Sequence, residues 1–287
     1  MRRCPHLLAC GLLLIALAAS AAPAERRPLG PDGEVRVSVG HGDVAILGWD
    51  RPVCEVQSDG RVPLRVTGDH HRLEVVPADA RDVRAKLEVH VPHGCSVSVV
   101  TVAADIWIEG LTGDVTIETV SGEVEVRGRL RRLNASRVTG DLHLDATVES
   151  AIATTVNGDI VISQVTRELV CNTLDGDVDV FAAPGLDRLE VTSLNGDATV
   201  VGPIGPRARW QLNLQNGDAI LTVTRPVDAT FRLQALLGDI ACGFPRATPR
   251  EDTAATRRGE VYRVGNGRAA VAVEVLRGDI TIDDRAP

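Results

Sequence analysis

Aromatic residues make up only 2% of this 287-residue chain: three Trp, three Phe and one Tyr. Conventional globular cores draw much of their buried area from large rings, so this scarcity points to a thin, repetitive core. It also leaves little from which to build a sugar-stacking cleft. Lysine is nearly missing as well, with Lys86 the single example and arginine carrying the remaining positive charge. The formal charge is −8, and it becomes −10 when Arg2 and Arg3 are removed. A phosphate-binding surface is therefore not expected, and nucleic acid is excluded as a partner class. After the N-terminus no stretch approaches the roughly 18 unbroken apolar residues that make a membrane span. No Ser, Cys or Lys sits in a recognisable nucleophile motif, so neither a catalytic residue nor a cofactor is expected.

The one long apolar run lies at the start. Arg2 and Arg3 precede "LLACGLLLIALAA", followed by A-x-A sites that allow cleavage after Ala21 or Ala24. Residues 1–24 read as a secretory signal peptide, too short to span a bilayer. Cys10 falls ahead of most of the run, too early for a lipoprotein cysteine. The expected mature chain is exported, periplasmic or extracellular, and associated with the cell envelope.

What is abundant is a phrase. "TTVNGDIVI" (154–162) returns as "NTLDGDVDV" (172–180) and "TSLNGDATV" (192–200). From Gly122 the Gly-Asp/Glu pairs recur at steps of 18, 18, 18, 20, 21, 21 and then 40 residues. A fixed period near 20 is the signature of a solenoid. After each pair come alternating apolar residues such as Ile160/Ile162, and half a period later a second set such as Ala151/Ala153. Each coil thus supplies at least two strands. Gly113 and Gly122 mark opposite corners of one coil.

An Asn-Gly pair also fits a tight hairpin, but a two-residue hairpin would set Val156 on the same face as Asp159. The same clash recurs at Val120, Val138, Leu174, Leu194, Leu236 and Leu276. A corner lets the apolar residue point inward while Asp points outward, with Gly supplying positive φ. The expected fold is all-β, a right-handed parallel β-solenoid or β-helix with about 18–21 residues per coil. Regular coils fill 104–287, with a surface loop inserted near 243–268. Residues 25–103 are irregular β-rich coils or a cap.

The stretch "LEVHVPHGCSVSVVTVAADIWIEGLTGDVTIETVSGEVEVRG" (87–128) and the Gly-Asp coils after it resemble the bacterial beta-strand-repeat "putative adhesin" family. The resemblance implies a right-handed β-solenoid in a cell-envelope setting. It brings no functional residues to transfer, and the family's general function is not established.

The most site-like feature is the series Asp114, Asp141, Asp159, Asp177, Asp197, Asp218, Asp239 and Asp279. Stacked carboxylates about 5 Å apart repel by roughly 1 kcal/mol in water. They are expected to accept backbone N–H bonds at the turns; the competing reading is a calcium ladder through Asp141, Asp159, Asp177 and Asp197. The glycine-rich nonapeptide of calcium-binding β-rolls is absent. His70-His71 and His90-x-x-His93 offer two metal ligands each and no third. Thr119, Thr155, Thr173 and Ser193 read as an outward hydroxyl ladder broken at Arg137. Trp107, Trp210 and Phe231 fall on core positions. Cys171 and Cys242 point inward, while Cys54 and Cys95 are candidates for a disulfide. Arg277-Gly278-Asp279 spells an integrin tripeptide, but its Gly-Asp belongs to the repeat. These features imply a non-catalytic scaffold or binding surface for an envelope glycan or protein. A polysaccharide-processing enzyme is the alternative, and self-association through open coil ends is a third reading.

Overall fold

A computed structural model describes residues 24–59, 63–78, 84–244 and 259–285. The segments 1–23 and 245–258, where the sequence reading places a signal peptide and most of an inserted loop, lie outside the described residues. The fold is an all-β solenoid whose strands join one large, mostly parallel sheet.

Alternation makes the coil. In Leu142–Asn157 the buried residues include Leu142, Leu144, Ala151, Ala153 and Thr155, with exposed residues between them. That strand runs in parallel register on Ile160–Asp175, pairing Leu142 with Ile160 and Ala153 with Cys171. Each inward residue therefore sits above its counterpart one coil away, about 4.8 Å along the rod. One such column passes through Leu133, Ala151, Leu169, Leu189 and Trp210. The column holds buried residues as different in size as Ala151 and Trp210. Trp210 and Phe231 are buried as the pattern predicts, but Trp107 is not. It lies on the outer face, half-buried, with the Arg127 guanidinium 4.4 Å from its ring centre. The alternation decides this, since its neighbours Ile106 and Ile108 both point inward.

Sequence order and stacking order part at both ends. Glu34–Trp49 lies between Arg72–Pro77 with Arg84–Pro92 on one side and Ser96–Leu111 on the other. At the far end Ala269–Arg277 inserts between Arg209–Asn216 and Ala229–Leu237. The chain thus leaves one slot vacant, builds the coil beyond it, and returns to fill the gap. The span expected as a loop near 243–268 contributes Gly259–Val264, which pairs antiparallel with Ala229–Gln234. At the N-terminal end Val53–Ser58 and Leu64–Gly68 run antiparallel on Arg84–Pro92 and Arg72–Pro77. Antiparallel strands thus pair with the parallel coils at both ends of the stack.

The Gly-Asp pair marks a corner, and chains on either side pair in parallel rather than as a hairpin. The parity assigned to the corner from sequence is reversed. Val120, Val138 and Leu174 are exposed, whereas Thr119, Thr155, Thr173 and Ser193 are buried. The strict two-residue alternation set by Ala151 and Ala153 continues through Thr155 and is broken only at Asn157–Asp159, so the inward residue before the corner is the hydroxyl. Ile160 then resumes the core. The expected outward hydroxyl ladder is consequently an inward one.

Gly158 takes φ +139° at the corner, and a Cβ there would land on the Gly140 carbonyl of the neighbouring coil. Gly158→Val should therefore lower the melting midpoint by at least about 5 °C in a thermal scan by circular dichroism. An unchanged midpoint would rule out the close corner stacking.

Candidate functional site

The corner carries three parallel features: a carboxylate ladder on its edge, a hydroxyl column beneath it, and an apolar ridge beside it. In the ladder each Asp accepts from the next coil's backbone. The amide of Asp159 donates to Asp141 Oδ1 at 3.0 Å, that of Asp177 to Asp159 Oδ1 at 2.9 Å, and that of Asp197 to Asp177 Oδ1 at 2.8 Å. Asp218 continues to Asp197 at 2.7 Å. The ladder then follows stacking order, with Asp279 donating to Asp218 at 2.7 Å and Asp239 to Asp279 at 2.8 Å. Asp279 of the Arg-Gly-Asp triplet is thus committed on both sides.

Asp114 is not in the ladder. Gly113 stacks on Gly94 and Cys95 at the opposite corner, and Asp114 accepts from Arg131 Nε at 2.8 Å. That bond and the Arg131 charge hold its carboxyl below the usual aspartate value. Its place in the ladder belongs to Asp105, which accepts from the Glu123 amide at 2.9 Å. No Gly precedes Asp105, so a search on Gly-Asp misses it, while counting 18 residues back from Glu123 finds it.

Beneath the corner, Thr101 donates to Thr119 at 2.7 Å and Thr119 donates to the Ser121 carbonyl at 3.0 Å. Arg137 follows, 4% exposed, donating to the Asp141 and Asp159 carbonyls. Burial pushes its guanidinium down to about 10. The buried hydroxyls of Thr155, Thr173 and Ser193 complete the column, aligned by strand register, before Leu214 closes it.

On the outer surface the residue before each corner forms a ridge. Val102, Val120, Val138 and Val156 make its N-terminal half; Leu174 and Leu194 continue it; Gln215 interrupts it; Leu276 and Leu236 end it. Val102 is 49% exposed and Leu236 45%. Along its C-terminal half runs a groove of about 730 Å³, with these leucines as one wall and Thr192, Asn213, Gln234 and Glu274 as the other. A second groove of about 660 Å³ is lined by Arg188, Arg207, Arg209 and Arg232 with Asp187 and Glu190.

The remaining sequence candidates do not converge. His70 and His71 lie against each other, their rings tilted by 42° with 3.9 Å between centres. His90 faces Glu88 at 3.5 Å and His93 faces Asp50 at 3.4 Å. Among the described residues no group of three or more His, Cys, Asp or Glu is placed to hold a metal ion. Cys54 and Cys95 are buried free thiols rather than a disulfide. Burial pushes Cys54 to about 12, aided by the neighbouring Cys95, and Cys95 to about 11. Neither thiol supplies the thiolate that exchange requires. Cys171 is buried, and Cys242 is only partly so. No helix among the described residues is long and apolar enough to cross a membrane.

A stack of β-coils with repeated side-chain columns defines a β-solenoid. Residues 63–283 match the Toastrack DUF4097 family, and the chain belongs to that family. Among solved structures, it is similar to a "putative adhesin" from Bacteroides fragilis, 14% identical, covering 93% of this chain and 97% of the other with a TM-score of 0.49. It is also similar to a "putative adhesin" from Parabacteroides distasonis, at 16% identity, 93% and 98% coverage and a TM-score of 0.46. A "putative lipid binding protein" from the same species aligns at 10% identity with equal coverage and TM-score. No curated protein matches the chain.

Substitutions at two positions test the corner. Asp177→Ala removes the acceptor for Asp197 N–H and should lower the melting midpoint by about 2–4 °C, while Asp177→Asn keeps an acceptor and loses less. Added calcium should leave the midpoint unchanged; a calcium-dependent rise abolished in Asp177→Asn would assign an ion site instead. Burial holds the Arg137 guanidinium at about 10, below the ordinary arginine value, so the folded chain holds this proton less tightly. Its charge then costs stability at neutral pH, and the cost fades only as pH climbs above about 10. Arg137→Thr, the residue type of the neighbouring coils, should raise the midpoint at pH 7 by about 2–6 °C.

Proposed function

We propose that this protein is a non-catalytic, exported β-solenoid that acts as a cell-envelope scaffold with an adhesin-like binding surface. The observation that supports this reading is the repetition of side chains as columns along the rod, with no coil singled out. An enzyme needs a distinguished set of groups: glycoside cleavage, for example, uses two carboxyls at one defined separation with unequal proton affinities. Here the corner carboxylates Asp141, Asp159, Asp177 and Asp197 recur coil by coil and each is engaged by a backbone amide. The groove beside the ridge has Glu274 as its one carboxylate. Repetition suits a different task, which is to offer the same contact many times along a stiff support. An envelope glycan or an envelope protein is the partner class consistent with the exported setting.

Co-sedimentation of the purified chain with isolated envelope fractions, with and without EDTA, tests this reading. Saturable pelleting without release of sugar is the expected outcome. Sugar released into the supernatant would favour a polysaccharide-processing enzyme, and a chain that stays in solution with every fraction would remove the envelope assignment.

A further inference from the structure

The ridge before the corners is an apolar strip, with Val102, Val120, Val138, Leu174, Leu276 and Leu236 exposed and Val156 and Leu194 partly so. Single exposed Val or Leu residues need no explanation, but a continuous row does. From Val102 to Leu236 it climbs on the order of 40 Å at the ~4.8 Å coil spacing. Leu174, halfway along, is 41% exposed. Beside it lie the groove, then the polar wall that runs Glu118, Ser136, Thr154, Asn172, Thr192 and Asn213 before Glu274 and Gln234. On its other side the corner edge presents Asn157, Asp175, Asn195, Asn216 and Arg277 in register.

We propose that this face is a homodimer interface, in which the ridge of a second copy lies in the groove of the first and the reverse. A ridge alongside a groove is self-complementary under a two-fold axis that runs between them, parallel to the rod. The partner must also keep step over the whole length, and a second copy carries the same coil spacing. With that axis, the two ridges lie side by side as a dry core and the two polar walls become the rims, the arrangement of a specific interface. Edge, ridge, groove and wall together span about 10 Å at the strand rise per residue, so each copy offers a strip on the order of 400 Å², the size of a small, reversible interface.

The charges select this axis over the antiparallel one. With parallel rods, each wall faces the other copy's corner edge coil by coil. Glu274 then meets Arg277, Asn172 meets Asp175, and Thr192 meets Asn195. With antiparallel rods each wall faces itself reversed, which brings Glu118 opposite Glu274, a like-charge contact along an acidic chain. Gln215, the one polar residue of the ridge, meets its own copy in the parallel arrangement, where two amides can bond each other.

This inference does not rest on the envelope reading, and sedimentation velocity of the purified chain over about 1–100 µM tests it separately. A dimer is expected. Leu174→Lys should weaken it at least ten-fold while leaving the circular dichroism melt intact. Glu274→Arg should weaken it, and Glu274→Arg combined with Arg277→Glu should restore it. Cysteines at Val102 or at Leu174 should each cross-link to themselves; in an antiparallel pair only Leu174 would. A monomer at every concentration overturns the proposal, as does a dimer indifferent to Leu174→Lys and Glu274→Arg. A monomer that loses envelope pelleting on Leu174→Lys also overturns it, and would give the ridge to an envelope partner. A dimer that fails to pellet leaves this interface standing and removes the envelope reading alone.

Discussion

The structure depends on how three consecutive amides are satisfied at each corner. Strands bond their neighbours through regular ladders, but at a corner the backbone turns out of the ladder and its polar groups need other partners. The Gly158 amide donates to the Asp175 carbonyl of one neighbouring coil at 2.9 Å. The next amide, Asp159, turns the other way, to the Asp141 carboxylate at 3.0 Å. Ile160 returns to the first neighbour, donating to the Asp177 carbonyl at 2.9 Å. Each corner is thereby bonded in both directions along the rod. Gly is required because the neighbouring backbone passes where a side chain would sit. Asp is required because its carboxylate reaches a donor that the adjacent strand's carbonyls do not serve. Bonds to a charged acceptor contribute about 1.5–3 kcal/mol each, which exceeds the roughly 1 kcal/mol by which stacked carboxylates repel in water. The acidic ladder is stable on these magnitudes without a counter-ion.

The same bonds record the unusual threading of the ends. Asp279 donates to Asp218, 61 residues earlier, and Asp239 to Asp279, 40 residues later in the chain for the acceptor. Every coil carries the same corner, so the repeats are interchangeable as neighbours and a coil can be inserted out of sequence order without losing a bond. That freedom permits the chain to leave a slot vacant and fill it on return. The returning coil ties the last-built coil down from one side while the antiparallel Gly259–Val264 holds it from the other.

Much of this was legible in the sequence because the repeat is enforced by backbone chemistry. The Gly-Asp period identified the coils, the parallel stacking and the opposite corner at Gly113. What escaped were features that depend on where alternation resets. Assigning inward direction to Val120, Val138 and Leu174 assumed that apolar residues fill the core. The strand period instead carries Thr119 and Thr155 inward, because Ile117 and Ala153, two residues earlier, are already buried. Trp107 was misplaced for the same reason. The intercalated ends were invisible, since a 40-residue step between Gly238 and Gly278 is equally consistent with two coils in order or one coil delayed. The carboxylates were found as a series, with Asp114 wrongly included and Asp105 missed, because Gly-Asp occurs at both corners while the bonded ladder follows only one.

The inward hydroxyls and outward aliphatics are two sides of one constraint. The inward position before the corner is held by Thr, Ser or Ala in most coils, by Leu214 and Val275 in two, and by Arg137 in one, where the side chain reaches past to backbone carbonyls. The next residue must then point outward, and nothing in the coil's own packing asks it to be apolar. Corner chemistry, core filling and strand register are all satisfied by a polar residue there, as Gln215 demonstrates in one coil. Val or Leu in nearly every other coil therefore answers a demand from outside the coil. The ridge faces sideways from the stack, so that demand is met by something that approaches the side of the rod rather than its ends.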